Sequence, residues 1–498
     1  MDSRLRAITA LSVPRTRELA GLHDAYDGRV QDLSPDGVRS ALSALEGTGG
    51  AEPYPDPHDE AHARASETAA RVHFEQLEQH RSNPFLHIAN LDTACYHRAY
   101  APAEERLAAK AAHLRQWPEA VDAAVSSLDR VSSPVARATL PAARALADCA
   151  DGDERALAAL TRLVDHLEHA AGHGDPSAAL GGEALRLLMS SAEACEVDLS
   201  ELADSADAER VQLLGVLREA RAPGESVAET VRKAQADHPP ADDLLEEARA
   251  LAAEAAAWAA ERNLVPYSDG ECLVLPAPAS RRHVMAGLQP AAPGEADAAS
   301  LFHITTPDPA WPQGEQEQWL SVLNRSFLAA FVLHEVAPGH FSHGRALRRA
   351  EGDVRRILMS EAFTEGWAVY AEHLALEEGF RAHDPRTAVG IALSGLQRAT
   401  RLSCAIGLHT GAMTVQDAER RFTEDAFLEG PAARAEARRG LWDPQYGHYT
   451  WGKTAIFQVR ERARAAWGAA YSPARFHSAL LALGAPPLGL LDTAVERG

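Results

Sequence analysis

The segment HEVAPGH, from His334 to His340, constrains the fold most, because it closes an apolar helix with a Pro-Gly pair. Apolar residues recur at three- and four-residue intervals through the preceding QEQWLSVLNRSFLAAFVL, and His334 continues that stripe. Pro338 cannot donate a helical hydrogen bond, and Gly339 accepts backbone angles closed to other residues. We therefore expect the helix to end within a residue or two of Ala337, with His340 in the loop or in the first turn of the next helix.

The same segment has the residue types of a metal site. In the zinc signature His-Glu-x-x-His, one helical turn brings both imidazoles to one face, with the glutamate beside them as general base. Here the second histidine follows after six residues, so a bend must return it. Glu335 lies at the buried end of the helix. Burying a carboxylate there costs free energy unless the group forms an ion pair or has a catalytic role. The pattern predicts His334 and His340 as ligands, with His343 as an alternative second ligand. Incidental histidines at a helix end are the competing interpretation.

A downstream helix, LMSEAFTEGWAVYAEHL, supplies carboxylates. Glu361, Glu365 and Glu372 stand at intervals of four and seven, which puts all three on one stripe among apolar and aromatic neighbours. Catalytic zinc takes three protein ligands, often two histidines and one glutamate, and leaves a position for water. Glu365 completes that set, and Glu361 or Glu372 is expected to hydrogen-bond an imidazole from behind. We expect one zinc ion per chain, with a solvated acidic face as the alternative.

The overall composition excludes several classes of partner. The chain has 49 Lys and Arg against 71 Asp and Glu, a formal charge of −22. Nucleic acids and anionic membrane surfaces require a basic footprint, so neither is expected. The N-terminus lacks the apolar region of a signal peptide, and no run reaches the length of a membrane span. The five cysteines are odd in number and never form a C-x-x-C pair, which favours reduced thiols and the cytoplasm.

The organisation along the chain predicts a mainly α fold. Residues 1–260 are helical nearly throughout, with Pro-containing turns. Residues 261–498 contain the metal motifs and two short apolar runs, ECLVLPAP and ASLFHITTP, which predict a small sheet. The short strands near Leu301 are expected to pair with an extended substrate by edge addition.

The two metal motifs together resemble those of a known family. HEVAPGH followed by EGWAVYAEHL is similar to the HExxPGH and EGWxxYxE motifs of the bacterial DUF885 family, which are predicted zinc-dependent, peptidase-like proteins of largely helical fold. NPFLHIANLD resembles the family's N-terminal part, and RLSCAIGLHTGAMTVQDA and YTWGKTAIFQVRERA resemble its C-terminal part. The resemblance covers most of the chain and implies one domain over residues 1–498. It implies a large helical, zincin-like (gluzincin-type) fold with its small sheet near the active-site cleft.

The resemblance also assigns residues. It implies the same three ligands and the same general base, and it adds His409 and Tyr449 as residues that line the site and donate to the oxyanion. Arg401, in the same motif as His409, is a candidate substrate contact or a surface charge. The sequence departs from the family pattern where Ala405 replaces an acidic residue and Thr450 a lysine, and His343 stands where glutamine is common. These departures indicate an altered substrate-facing wall.

We therefore expect a zinc-dependent hydrolase that cleaves a peptide or small amide, with Glu335 as the general base. Two alternatives stay open. A metal-dependent lyase or biosynthetic tailoring enzyme on the same scaffold is suggested by Ala405 and Thr450. A non-catalytic metal-binding protein is favoured if Glu335 proves dispensable.

Overall fold

The computed structural model describes residues 1–282, 284–295 and 298–498. Within them, helices make up most of the chain, and a three-stranded sheet lies between two helical parts. The prediction of a mainly α fold with a small sheet is confirmed.

The helices of the first part begin near the N-terminus and end shortly before the sheet. They are α1 (Ser3–Thr9), α2 (Val13–Leu19), α3 (His23–Tyr26), α4 (Pro35–Gly47), α5 (Pro57–Arg71), α6 (Gln79–Ser82), α7 (Pro84–Leu91), α8 (Ala103–Arg115), α9 (Trp117–Ser127), α10 (Ser133–Ala145), α11 (Glu154–His173), α12 (Gly182–Glu193), α13 (Leu199–Ala220), α14 (Val227–Ala236) and α15 (Leu244–Glu261). A π-helical turn, Val72–Gln76, continues α5.

The helices of the second part follow the sheet and run to the C-terminus. They are α16 (Gln313–Val322), α17 (Arg325–Glu335), α18 (His340–Leu347), α19 (Asp353–Ile357), α20 (Glu361–Glu377), α21 (Pro385–Thr410), α22 (Val415–Ala426), α23 (Gly430–Trp442), α24 (His448–Trp467), α25 (Pro473–Leu481) and α26 (Thr493–Arg497).

The sheet has the strand order β1-β3-β2 and mixed polarity. The predicted apolar runs form β1 (Cys272–Pro276) and β3 (Ser300–Ile304), which pair in parallel. A third strand, β2 (Ala286–Gln289), pairs with β3 in antiparallel orientation. The sequence did not predict β2, because AGLQ has one large apolar residue and a glycine. Since β3 is the central strand, β1 and β2 form the two edges.

One apolar core is shared by both helical parts. Leu163 of α11 and Leu217 of α13 belong to the same buried cluster as Phe331 of α17, Leu396 of α21 and Phe422 of α22. The long helix α21 is buried along most of its length and packs against both α13 and α17. This core holds α17 in place from several sides.

In the described part of the chain, no single helix is long and apolar enough to cross a membrane. The segments Gln313–Val322 and Arg325–Leu347 reach the required length and apolar character only when they are taken together, and they are bent by 55° relative to each other.

The crossing of α20 and α24 depends on two glycines. A Cβ atom on Gly366 would lie 2.5 Å from the Cα of Gly452, and a Cβ on Gly452 would overlap the carbonyl oxygen of Ala362. Any side chain at either position would force the two backbones apart. The crossing lies one residue from Glu365, so it also determines where that side chain points.

We predict that Gly366→Ala destabilises the protein by roughly 1–3 kcal/mol, because the added methyl group overpacks this contact. Thermal unfolding followed by circular dichroism measures the change. Gly215→Ala on α13 is the matched control, since a Cβ there meets nothing within 4 Å. That control is expected to stabilise the helix by about 0.5–1 kcal/mol. Equal melting temperatures for the wild type and Gly366→Ala would contradict the tight crossing.

Candidate metal centre

The HEVAPGH segment ends one helix and starts another. Helix α17 ends at Glu335, and α18 begins at His340, so the predicted break is confirmed. The amide of Gly339 donates to the carbonyl of Leu333 at 3.1 Å. A Cβ atom on Gly339 would overlap the carbonyl oxygen of His334, so only glycine permits this turn.

The turn brings the three predicted ligands together. The Nε2 atoms of His334 and His340 lie 3.3 and 3.4 Å from the same oxygen, Oε2 of Glu365. One donor atom from each of the three residues lies within 4.8 Å of the others. The two imidazole planes are nearly perpendicular, at 82°. Two imidazole nitrogens and one carboxylate oxygen thus converge on one small volume, and this is a donor set that catalytic zinc sites use.

The carboxylate of Glu365 is unusual among buried groups. Its Oε2 atom is shielded from solvent and makes no hydrogen bond within the described residues, although both imidazoles are near. Burial by itself would raise the pKa of Glu365, but the two histidines outweigh burial and hold that pKa well below its ordinary value. An anionic oxygen without a hydrogen bond, facing two nitrogen ligands, fits a site built for a divalent cation.

His334 is held from behind by a second carboxylate. Its Nδ1 donates to Oε1 of Glu372 at 2.8 Å. Glu372 is fully buried and also pairs with Arg398, whose Nη1 lies 2.9 Å from Oε1. Burial would raise the pKa of Glu372, but Arg398 and then His334 lower it. A carboxylate on the far nitrogen fixes the ring orientation and leaves Nε2 free toward the cluster.

Glu335 lies beside the cluster without being part of it. Its side chain is buried, and its Oε2 accepts a 2.8 Å hydrogen bond from the backbone amide of Leu288 on β2. This contact ties the edge of the sheet to the end of α17. The sequence did not predict the contact, because β2 itself was not predicted.

Tyr449 lies at the cluster, as the resemblance implied. Its ring is nearly parallel to that of His334, at a centroid distance of 6.2 Å. Burial and the charge of Glu365 raise the pKa of Tyr449, which keeps the hydroxyl protonated. The guanidinium of Arg401 stacks 4.8 Å from the ring centre, but its Nε and Nη2 bind the carboxylate of Glu436 at 2.7 Å. Arg401 therefore supports Tyr449 and is not a free substrate contact.

His409 does not reach the cluster, and its predicted role in the site is wrong. It follows Arg398 by eleven residues on α21, a distance of about 16 Å along the helix axis. The buried ring donates from Nε2 to the carbonyl of Gly440 at 2.8 Å. Burial lowers the pKa of His409 to about 4, as expected for a neutral packing histidine.

His343 is also turned away from the cluster. Its Nε2 donates to the carbonyl of Gly484 at 3.1 Å, and burial lowers its pKa to about 4. It neither replaces His340 as a ligand nor supports one. Of the two glutamates that could hydrogen-bond an imidazole from behind, Glu372 does so, whereas Glu361 makes no such bond within the described residues. It pairs with Arg15 of α2 instead.

The cluster opens into a cavity of about 930 Å³. His340, Glu361 and Glu365 line it, as do the residues of strand β2. The first helical part also contributes to the wall, through α1, α2, α5, the π-helical turn and α7. Ala405 and Thr450 are buried and are not among the described residues that line this cavity, so these two departures do not alter its wall.

The comparisons with known proteins show the family and the fold of the chain. A family model described as "Bacterial protein of unknown function (DUF885)" matches residues 14–495. A putative lipoprotein of unknown function from Shewanella oneidensis has 17% sequence identity and a TM-score of 0.74, with 99% of each chain covered. A putative lipoprotein from Colwellia psychrerythraea has 17% identity and a TM-score of 0.77, with 99% of this chain and 97% of the other covered. At these identities the two structures share the fold alone. The comparison with curated proteins gave no match.

Proposed function

The chain belongs to the DUF885 family, and we propose that it is a metal-dependent hydrolase that cleaves a peptide or small amide bond. The observation that carries the proposal is the convergence of His334, His340 and Glu365 around an orphan carboxylate oxygen on the wall of a large cavity. We further propose a zincin-like, gluzincin-type site, in which one helix gives the His-Glu pair and a later helix gives the third ligand.

Zinc is the proposed ion, at one per chain. The donor set, the perpendicular imidazoles and the buried Glu372 behind His334 support this choice. A zinc ion held by these side chains would lower the pKa of a water molecule and polarise the carbonyl of the substrate.

Glu335 is the proposed general base. It stands next to a ligand in sequence, is buried, and is not part of the converging set. Its Oε2 is held by the amide of Leu288, so the carboxylate has a fixed orientation. In the proposed reaction, Glu335 takes a proton from the attacking water and passes it to the leaving amine.

Tyr449 is the proposed donor to the oxyanion. Its hydroxyl stays protonated in this environment, and its ring lies beside His334. A donor in such a position typically contributes a few kcal/mol to transition-state stabilisation.

The edge of β2 is the proposed backbone-binding element. Because Gly287 pairs with His303 and Leu288 donates to Glu335, the backbone of Ala286 and Leu288 faces away from β3 and toward the site. Leu301 itself lies on the central strand β3, with partners on both sides, so edge addition near Leu301 is open only to the neighbouring strands. An extended substrate would pair with β2.

The cytoplasm remains the proposed location. All five cysteines are free, and Cys95, Cys149 and Cys404 are buried, which suits a reducing compartment. The two similar structures are named putative lipoproteins, and this name describes those two proteins.

We predict one zinc per chain, with each of His334→Ala, His340→Ala and Glu365→Ala lowering its occupancy. Removing one of three ligands leaves two, which is too few for tight binding. Elemental analysis after zinc reconstitution and desalting measures the occupancy. His343→Ala is the control and should retain full zinc, because that ring is bound to Gly484. Full zinc in His340→Ala together with loss in His343→Ala would overturn the ligand assignment.

We predict that Glu335→Gln keeps the fold and the zinc but loses turnover by several orders of magnitude. The exchange removes the base at nearly constant shape. Mass spectrometry of the products formed from a panel of short peptides and amino-acid amides measures turnover. Activity equal to that of the wild type would remove Glu335 from the mechanism. Zinc binding without turnover in the wild type would favour the non-catalytic alternative.

A further inference from the structure

One charged side chain on the cavity wall has no part in the proposed reaction. Glu361 precedes Glu365 by four residues on α20, so both project from the same face, about 6 Å apart along the axis. Its side chain is 54% exposed, and it lines the same cavity as Glu365 and His340. A carboxylate thus faces the cavity one helical turn from the metal centre.

This carboxylate is only partly engaged. Arg15 pairs through Nη1 with Oε1 of Glu361, and its Nη2 donates to the carbonyl of Met359 at 3.2 Å. None of the described residues donates to Oε2 of Glu361. The charge of Arg15 lowers the pKa of Glu361, against burial, so the group is an anion at neutral pH. Its second oxygen is therefore available to a positively charged donor.

Charged and titratable side chains from several elements lie near Glu361 on the cavity wall. Arg15 of α2 pairs with Glu361. The negative charge of Glu361 also acts to raise the pKa values of His73 on the π-helical turn and Glu193 on α12. His448, at the start of α24, acts to lower the pKa of Glu361. All of these residues line the cavity. An ammonium group bound to the second oxygen of Glu361 would lie about one helical turn from Glu365, which would place the amino end of a substrate beside the metal centre.

We propose that Glu361 binds the free amino group of the substrate. The protein would then release the first residue of a short peptide, or hydrolyse an amino-acid amide, a specificity that rests on the proposed hydrolase function. An ammonium group brings a positive charge and three donors to a carboxylate, whereas a terminal carboxylate would be repelled. Water adds across the C–N bond: the carbonyl carbon gains the hydroxyl group, and the leaving amine gains the proton.

The test measures binding without turnover. Zinc-loaded Glu335→Gln protein is titrated by calorimetry with leucinamide, N-acetylleucinamide and 4-methylpentanamide, which differ only at the amino position. Leucinamide is expected to bind about tenfold more tightly than either other amide, as one charge-assisted hydrogen bond implies. Adding Glu361→Gln should remove this preference and leave the affinity for 4-methylpentanamide unchanged.

Two matched variants separate recognition from structural support. Arg15→Gln removes the partner of Glu361 but leaves the carboxylate, so the preference for leucinamide should persist. Glu351→Gln, at an exposed position outside the cavity, should change nothing. Equal loss in Arg15→Gln and Glu361→Gln would show that the ion pair only holds α2 against α20. Equal affinity for the three amides, or no binding of leucinamide at about 10 mM, would overturn the proposal. Absence of turnover in the wild type would instead contradict the proposed function.

Discussion

The pairing of two glutamates of one helix with histidines is the interaction on which the rest of the site depends. Glu365 and Glu372 are two turns apart on α20, and a carboxylate removed from water is costly unless it is paired. Glu372 meets His334 and Arg398, whereas Glu365 meets His334 and His340. His334 thus links the two carboxylates. These contacts connect the four helices α17, α18, α20 and α21 and hold the imidazole nitrogens in place.

Local chemistry explains what the sequence could predict. Proline and glycine in HEVAPGH act on the backbone within one turn, so the end of α17 and the start of α18 followed directly. Helical periodicity placed Glu365 and Glu372 on one face. The hydrogen bond from His334 to Glu372 followed the rule that a ligating imidazole has a partner on its other nitrogen.

Contacts between distant segments explain what the sequence could not predict. Arg398 has no signal of its own, since an arginine on a helix is usually solvated. The strand β2 is defined by its pairing with β3 and by its hydrogen bond to Glu335, and both contacts join segments that are apart in sequence. The resemblance implied that His409 lies in the site, but His409 is near the C-terminal end of the long helix α21, far along the helix from Arg398. The sequence left open whether Glu361 or Glu372 lies behind an imidazole, because the ion pair between Glu361 and Arg15 joins segments that are distant in sequence.

Zinc K-edge X-ray absorption on the reconstituted protein can show whether His334, His340 and Glu365 form one metal centre. We expect two imidazole nitrogens and one carboxylate oxygen in the coordination shell, with Zn–N distances of about 2.0–2.1 Å. His340→Ala should remove one imidazole contribution, and His343→Ala should leave the spectrum unchanged. A shell of oxygen atoms alone, or a spectrum that the His340 exchange does not alter, would contradict the account.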